Sequence, residues 1–259
     1  MTDPMRERQV CIITGGGTGT GAACARQLAA KGWRVVVNYS RSETEALETV
    51  AVCEAAGGEA IAVQGNVAED ADCRALAQAA IDQWGRIDAL VNSAGITKFA
   101  NAAKLEALSA DDFQRIYAVN VIGAYQMIRA CTPTMQAQGA GAVVNISSIA
   151  GVLGIGSSVA YVASKGALNA ITLSLARALA PAIRVNAVCP GLIDTRWHRD
   201  RFDDDGYAKL KAGYEQSVPL ATTATADDVA DAVVWLIEGA RVVTGECLML
   251  DSGKHLGKF

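Results

Sequence analysis

Apolar residues in this chain fall into short unbroken runs separated by longer stretches of mixed polarity. The runs are Gln9–Thr14 (QVCIIT), Trp33–Asn38 (WRVVVN), Ala60–Gln64, Asp88–Val91, Ala142–Ile146 (AVVNI), Ile183–Val188 (IRVNAV) and Glu246–Leu250. Runs without alternation mark strands buried on both faces, as in a parallel sheet covered by helices. The stretches between them carry helix signals. Ser42-Glu-Thr-Glu45 reads as a capping box for a helix running to Gly57-Gly58, and Asp70–Trp84 reads as the next helix. Ser109 is placed to cap a long helix through Gln138, a further helix spans about Ser158–Ala180, and Thr225-Ala-Asp-Asp228 caps one that ends at Ile237. Strict alternation of strand and helix predicts an α/β fold. It is read as a single doubly wound domain over residues 1–259, a seven-stranded parallel sheet with helices on both faces. Arg196–Val218, of mixed charge and without clear periodicity, reads as a lid over a site.

Composition supports a packed core: 51% of the 259 residues are hydrophobic and the mean hydropathy is +0.21. A net charge of -4 leaves no basic footprint for nucleic acid or an anionic membrane surface. Met1–Gln9 is polar, and no apolar run of about 18 residues is found to span a bilayer, so a cytoplasmic location is expected. The seven cysteines are scattered without a C-x-x-C pair and read as small reduced hydrophobes. His198 and His255 are the only histidines, neither at ligand spacing from a carboxylate or cysteine, so no metal site is expected.

Chemistry enters at the strand ends. Thr14-Gly-Gly-Gly-Thr-Gly-Thr-Gly21 joins the first strand to a helix, where Gly15, Gly17, Thr18, Gly19 and Gly21 let the backbone approach a pyrophosphate at a helix N-terminus. The second strand ends in Asn38-Tyr39-Ser40-Arg41. No acid stands at its tip to bind the free 2′-hydroxyl of NAD, and Arg41 suits the extra phosphate of NADP, so NADP(H) is favoured over NAD(H). Arg41 as a solvated loop charge is the alternative. Asn66, beside Val67, is either a contact to the base edge or a plain turn residue. The fourth strand closes in Asn92-Ser-Ala94-Gly95, facing the crevice. Asn120 lies in the apolar middle of its helix, where its amide either bonds a backbone carbonyl or kinks the helix and holds a water.

The fifth strand delivers Ser148, thirteen residues before Tyr161, and Tyr161 and Lys165 share a helix face one turn apart. A phenol of pKa about 10 is a poor base at neutral pH, and a neighbouring ammonium favours its phenolate, which suits proton transfer to or from an alcohol. By itself a Tyr-x-x-x-Lys pair is more often an incidental surface pair. Pro190-Gly191 then turns the chain, exposing the Ile193 backbone and the Thr195 hydroxyl. Trp197, Tyr207 and Tyr214 either line a pocket or pack against a neighbouring subunit.

Taken in order, these motifs resemble the short-chain dehydrogenase/reductase family over Val10–Gly253, with Thr244-Gly245 completing the series. The resemblance implies hydride transfer between nicotinamide and a carbonyl or secondary alcohol. Tyr161 would be the acid or base, Lys165 would lower its pKa and hold the nicotinamide ribose, Ser148 would polarise the substrate oxygen, and Asn120 would anchor a water. Ile193 and Thr195 would position the carboxamide, and a homotetramer or homodimer is implied. Ser93 stands where the family more often has Asn, and Asn66 where it usually has Asp. Carrier-dependent 3-oxoacyl reductases, the most similar subgroup, tend to show basic residues before the fifth strand and after the Tyr161 helix. Here those places read Gln138-Gly-Ala-Gly141 and Ala180-Pro-Ala182, which favours a free small-molecule substrate. A 3-oxoacyl thioester reductase, an NAD-linked sugar or polyol dehydrogenase, and a catalytically silent NADP-sensing module are the alternatives.

Overall fold

The computed structural model describes residues 8–257, so most of the polar start lies outside the described residues. The chain runs β1 (Val10–Thr14), α1 (Gly19–Ala30), β2 (Arg34–Tyr39), α2 (Glu43–Ala55), β3 (Glu59–Gln64), α3 (Asp70–Trp84) and β4 (Ala89–Asn92). It continues through α4 (Ala110–Tyr117), α5 (Ala124–Gln138), β5 (Gly141–Ile146), the short α6 (Ala150–Leu153), α7 (Val159–Leu179) and β6 (Ile183–Pro190). The last part holds β7 (Ile193–Asp194), α8 (Arg196–Arg199), α9 (Asp204–Gln216), β8 (Ala224–Thr225), α10 (Ala226–Glu238) and β9 (Cys247–Leu250).

Seven strands form one parallel sheet in the order β3-β2-β1-β4-β5-β6-β9. Strand order reverses between β1 and β4, so their carboxyl ends flank the crevice expected of such a sheet. β1, with every residue buried, lies at this centre. Two apolar clusters cover the two faces: Ile13, Leu28, Val37 and Val233 belong to one, and Ile12, Leu76, Leu90 and Met135 to the other. Six of the seven free cysteines are buried and Cys247 is half-buried.

Four local expectations change. Ser42 makes no side-chain cap to α2, its backbone (φ −91°, ψ 63°) departing from the extended N-cap conformation, and the Glu45 carboxylate pairs with Arg196 at 2.7 Å instead of completing the box. Full capping boxes form at Ser109/Asp112 and Thr225/Asp228. The long helix from Ser109 is interrupted by a π-helical turn, Ala118–Gly123, centred on Asn120. Residues 196–218 fold into α8 and α9, and β7 pairs with β8 as a small separate ribbon. Finally, α7 is long and apolar enough by length and composition to cross a bilayer. A helix packed along a sheet passes the same test, and its Ser164, Lys165 and Thr172 are buried inside the fold.

Candidate active site

A cavity of about 980 Å³ opens over the carboxyl ends of the strands. Its floor begins at the glycine turn. The hydroxyl of Thr14 accepts from Ser93 N and Ala94 N, both at 3.1 Å, which ties β4's loop onto β1. Gly15 (φ +62°) lies against Ala94, where a Cβ would come within 3.1 Å of backbone. A Cβ on Gly21 would sit 2.3 Å from Gly15 O. Gly17 and Gly21 are therefore buried beneath the turn rather than on the cavity wall, whereas Gly15, Thr18 and Gly19 line it. The first turn of α1 carries no acid, so its positive end faces the cavity unneutralised.

The β2 tip differs in part from expectation. Asn38 borders the cavity, but its amide is used internally, donating to Gly65 O (2.9 Å) and accepting from Gly15 N (3.3 Å). The Tyr39 hydroxyl bonds Glu43, and Tyr39 is not on the cavity wall. Ser40 and Arg41 do line the cavity, and Arg41 has no ion-pair partner among the described residues. Asn66 and Val67 form the wall beyond, with Asn66 Oδ1 closing a local turn onto Ala68 N (3.2 Å). Asn92 is away from the cavity. Its amide starts a buried chain, Asn92 to Asn145 Oδ1 and Asn145 to Thr172 Oγ1, each 2.9 Å, linking β4, β5 and α7.

At the centre, Asn120 accepts from Ile96 N (2.8 Å) and donates to Ile96 O (3.0 Å) and Ser164 Oγ (3.1 Å). The π turn thus clamps the loop after β4 to α7. A Cβ on Gly95 would lie 3.5 Å from Asn120 Oδ1 and 3.8 Å from Lys165 Nζ, so amide, ammonium and loop meet at one point. Lys165 Nζ donates to Ile146 O (2.8 Å) at the end of β5. The Ser148 hydroxyl accepts from Ala150 N (3.1 Å) and lies close enough to the Tyr161 phenol to favour its phenolate. Ser147 turns the other way, its Oγ 2.6 Å from Asn169 Oδ1.

Burial dominates the electrostatics here. The Tyr161 phenol is pushed up to about 12, the bond from Ser148 offsetting only part of the cost of burying a phenolate. Lys165 is brought down to about 8 by the same burial. Burial therefore outweighs the lowering of the phenol expected from Lys165, whose ammonium lies 5.6 Å from the centre of the ring. At neutral pH the Tyr161 phenol is thus protonated.

Pro190, Gly191, Ile193 and Thr195 complete the wall, with the Thr195 methyl 3.7 Å from where a Gly19 Cβ would stand. Trp197 lines the cavity 6.3 Å from the Tyr161 ring, and Tyr214 lines it beside Gly191. Tyr207 does not; its hydroxyl bonds Asp194, which also holds Arg199 and Lys211. Arg115, Arg196, His198 and Lys254 also line the cavity, and the sequence reading assigned them no role there. Arg196 and His198 directly follow Thr195 at the start of the expected lid, whereas Arg115 and Lys254 stand outside the motifs, so no spacing signal marks those two. His255 does meet a carboxylate, Asp251, 3.0 Å away, contrary to the spacing argument. Among the described residues no cluster of three or more metal-ligating side chains occurs.

The two serines separate in a simple test. Ser148→Ala is expected to lower turnover by about 10²-fold or more, and Ser147→Ala to act on melting temperature first. The opposite ranking in steady-state assays would contradict the register.

Comparison with known proteins agrees with this geometry. A family profile described as enoyl-(acyl carrier protein) reductase matches residues 15–255. A Streptomyces violaceoruber protein assigned as ketoacyl reductase 2 of the granaticin polyketide synthase is 41% identical over 250 residues, 96% of this chain and 97% of that one. The 3-oxoacyl-[acyl-carrier-protein] reductase of Staphylococcus aureus is 33% identical over 97% of this chain and 100% of its own. The crystal structure of a short-chain dehydrogenase/reductase from Burkholderia xenovorans superposes with a TM-score of 0.90 at 38% identity, covering 98% of this chain and 100% of that one. Matched along nearly its whole length in sequence and in shape, the chain belongs to the short-chain dehydrogenase/reductase family, the NAD(P)-dependent oxidoreductases of CH–OH and C=O groups.

Proposed function

We propose that the protein is an NADP(H)-dependent reductase of a carbonyl on a small or medium metabolite, with Tyr161 as the proton donor. The observation that carries this reading is the meeting of Ser148, Tyr161 and Lys165 in one cavity with the glycine turn and Arg41, backed by Asn120 behind Gly95. The cradle suits a dinucleotide: Gly15 and Gly21 fold where a Cβ has no room, α1 presents a bare N-terminus, and Ser40 and Arg41 stand where a 2′-phosphate would lie. When bound, the reduced nicotinamide supplies a hydride to the carbonyl carbon.

The residues do the rest. Ser148 and Tyr161 hold the carbonyl oxygen between two hydroxyls and polarise it. The phenol, protonated at neutral pH, transfers its proton to the oxygen as negative charge develops there. The Lys165 ammonium stabilises the phenolate left behind, and Asn120 fixes the loop beside it. The segment 196–218 forms a lid, with Trp197 excluding water above Tyr161. A 3-oxoacyl thioester is the second candidate substrate, favoured by the printed names of two relatives. A silent cofactor sensor is disfavoured, since such a role gives no reason to keep four reactive side chains together. Assembly into a dimer or tetramer is proposed through apolar side chains exposed on α5 and α7, Tyr125, Val159 and Leu173 among them.

Two outcomes test this reading. Oxidation of NADPH on a panel of acyl, sugar and cyclic ketones is expected, with kcat/KM higher for NADPH than for NADH; a tenfold preference for NADH would contradict the role given to Arg41. The pH profile follows from Lys165. Its ammonium is charged below about 8, so kcat/KM is expected to fall as pH rises through about 8, and a flat profile there would contradict its role.

A further inference from the structure

The charges on the cavity wall are lopsided for a protein of net charge -4. Among the described residues the wall carries Arg41, Arg115, Lys165, Arg196 and Lys254 against one carboxylate, Asp200. A dinucleotide accounts for much of this. Arg41 stands at the 2′-phosphate end, Lys165 at the reaction centre, and Arg196 beside the glycine turn in a pair with Glu45. Arg115, one turn before Val119 on the side of Asn66 and Val67, belongs to the adenosine end as well. Lys254 is left over.

Its place in the sheet shows why a cofactor does not need it. Arg41 follows β2 and Lys254 follows β9, five strand positions apart in the sheet order, or about 24 Å at the usual strand spacing. The reaction centre follows β5. Lys254 therefore stands two strands beyond it, about 10 Å away, on the side where α9 covers the cavity.

The ammonium is also built in. Lys254 Nζ donates to Ser217 Oγ at 2.8 Å and lies 6.0 Å from the centre of the Tyr214 ring. Tyr214 is itself fixed, its hydroxyl donating to Asp251 O at 2.9 Å. The acid nearest in sequence, Asp251, is already committed: its carboxylate accepts from Gly253 N (3.0 Å), from His255 N (2.8 Å) and faces the His255 ring at 3.0 Å. Asp194, the acid under α9, is held by Arg199, Lys211 and Tyr207. No carboxylate among the described residues lies within ion-pair distance of Lys254. A half-buried ammonium held by one neutral hydroxyl retains most of its capacity to bind an anion.

We propose that Lys254 is the anchor for a negatively charged group on the substrate, so that the carbonyl compound reduced at Tyr161 bears a carboxylate or phosphate several bonds from its reacting carbon. The inference rests on the reductase reading and narrows its substrate class. Ser217 and Tyr214 orient the ammonium, and the rest of the substrate spans from Lys254 to Ser148 beneath Trp197. Both headgroup types share the chemistry that Lys254 recognises, a compact anion meeting a point charge.

The experiment uses straight-chain oxo acids in which the carbonyl–carboxylate spacing is lengthened carbon by carbon, each paired with its neutral methyl ester, and a parallel arm with oxoalkyl phosphates. The wild-type enzyme is expected to prefer an anion over its ester by about tenfold or more in kcat/KM, with the preference peaking at one spacing. Lys254→Met is expected to bring the ratio to about one and Lys254→Arg to keep it. Where the methionine variant does not fold, as read by its melting curve, Lys254→Gln replaces it. Equal use of anion and ester by the wild type, or a preference that survives loss of the ammonium, overturns the inference. Failure of the wild type to reduce acids and esters alike would instead count against the reductase reading itself.

Discussion

Tyr161→Phe is expected to lower kcat by about 10²–10⁴-fold while leaving NADPH affinity within about twofold. In the proposed reaction the phenol both touches the reacting oxygen and gives up a proton, which it carries at neutral pH because burial pushes its titration up to about 12. Removing the hydroxyl leaves Ser148 as a single hydrogen-bond donor to the carbonyl and leaves no acid to complete the reduction. Lys165 does not replace it, because its ammonium donates to Ile146 O and lies 5.6 Å from the ring centre. Steady-state kinetics and a fluorescence titration with NADPH separate the two effects. Unchanged turnover, or loss of cofactor binding in step with turnover, would contradict the assignment.

The second large effect is expected at a residue that touches no ligand. Gly151 lies in α6, where that short helix crosses α7, and a Cβ there would stand 2.4 Å from Lys165 C and 2.6 Å from Gly166 N. These are backbone atoms, so no rotamer change can make room, and α7 must move. Gly151→Ala is expected to cost about 1–3 kcal/mol, a fall in melting temperature of several degrees. Because α7 carries both Tyr161 and Lys165, a shift of about 1 Å at the crossing is expected to lower kcat by about 10²-fold. Gly213→Ala, on α9 with open space around it, is the control and should hold or raise the melting temperature. Equal melting temperature and turnover for Gly151→Ala would contradict the close approach.

Much of the site was legible because strand-end chemistry in a doubly wound sheet follows from strand order. Runs of buried residues located the seven strands, and the alternation rule then put Gly15, Gly95, Ser148 and Gly191 on one edge. What was not legible depends on distant partners. Asn38 reads as a ribose contact until its amide is seen bonded to Gly65 and Gly15. Glu45 reads as half of a capping box until Arg196, 151 positions later, takes its carboxylate. The π turn at Asn120 gives no periodic signal, since one extra residue in a turn leaves the amphipathic pattern nearly intact. Lys254 lies after the last strand, outside every motif. The relative weight of burial and charge at Tyr161 depends on how deeply the ring sits, which spacing does not encode.

The most direct measurement is a single-turnover reaction with NADPH deuterated at its transferring carbon, in the presence of a ketone that the enzyme accepts. The account predicts deuterium on the carbinol carbon of the product alcohol, its transfer slowed by Tyr161→Phe about as much as turnover is, with the cofactor still bound. Tight binding of NADPH without transfer of deuterium to any ketone of a broad panel would contradict it.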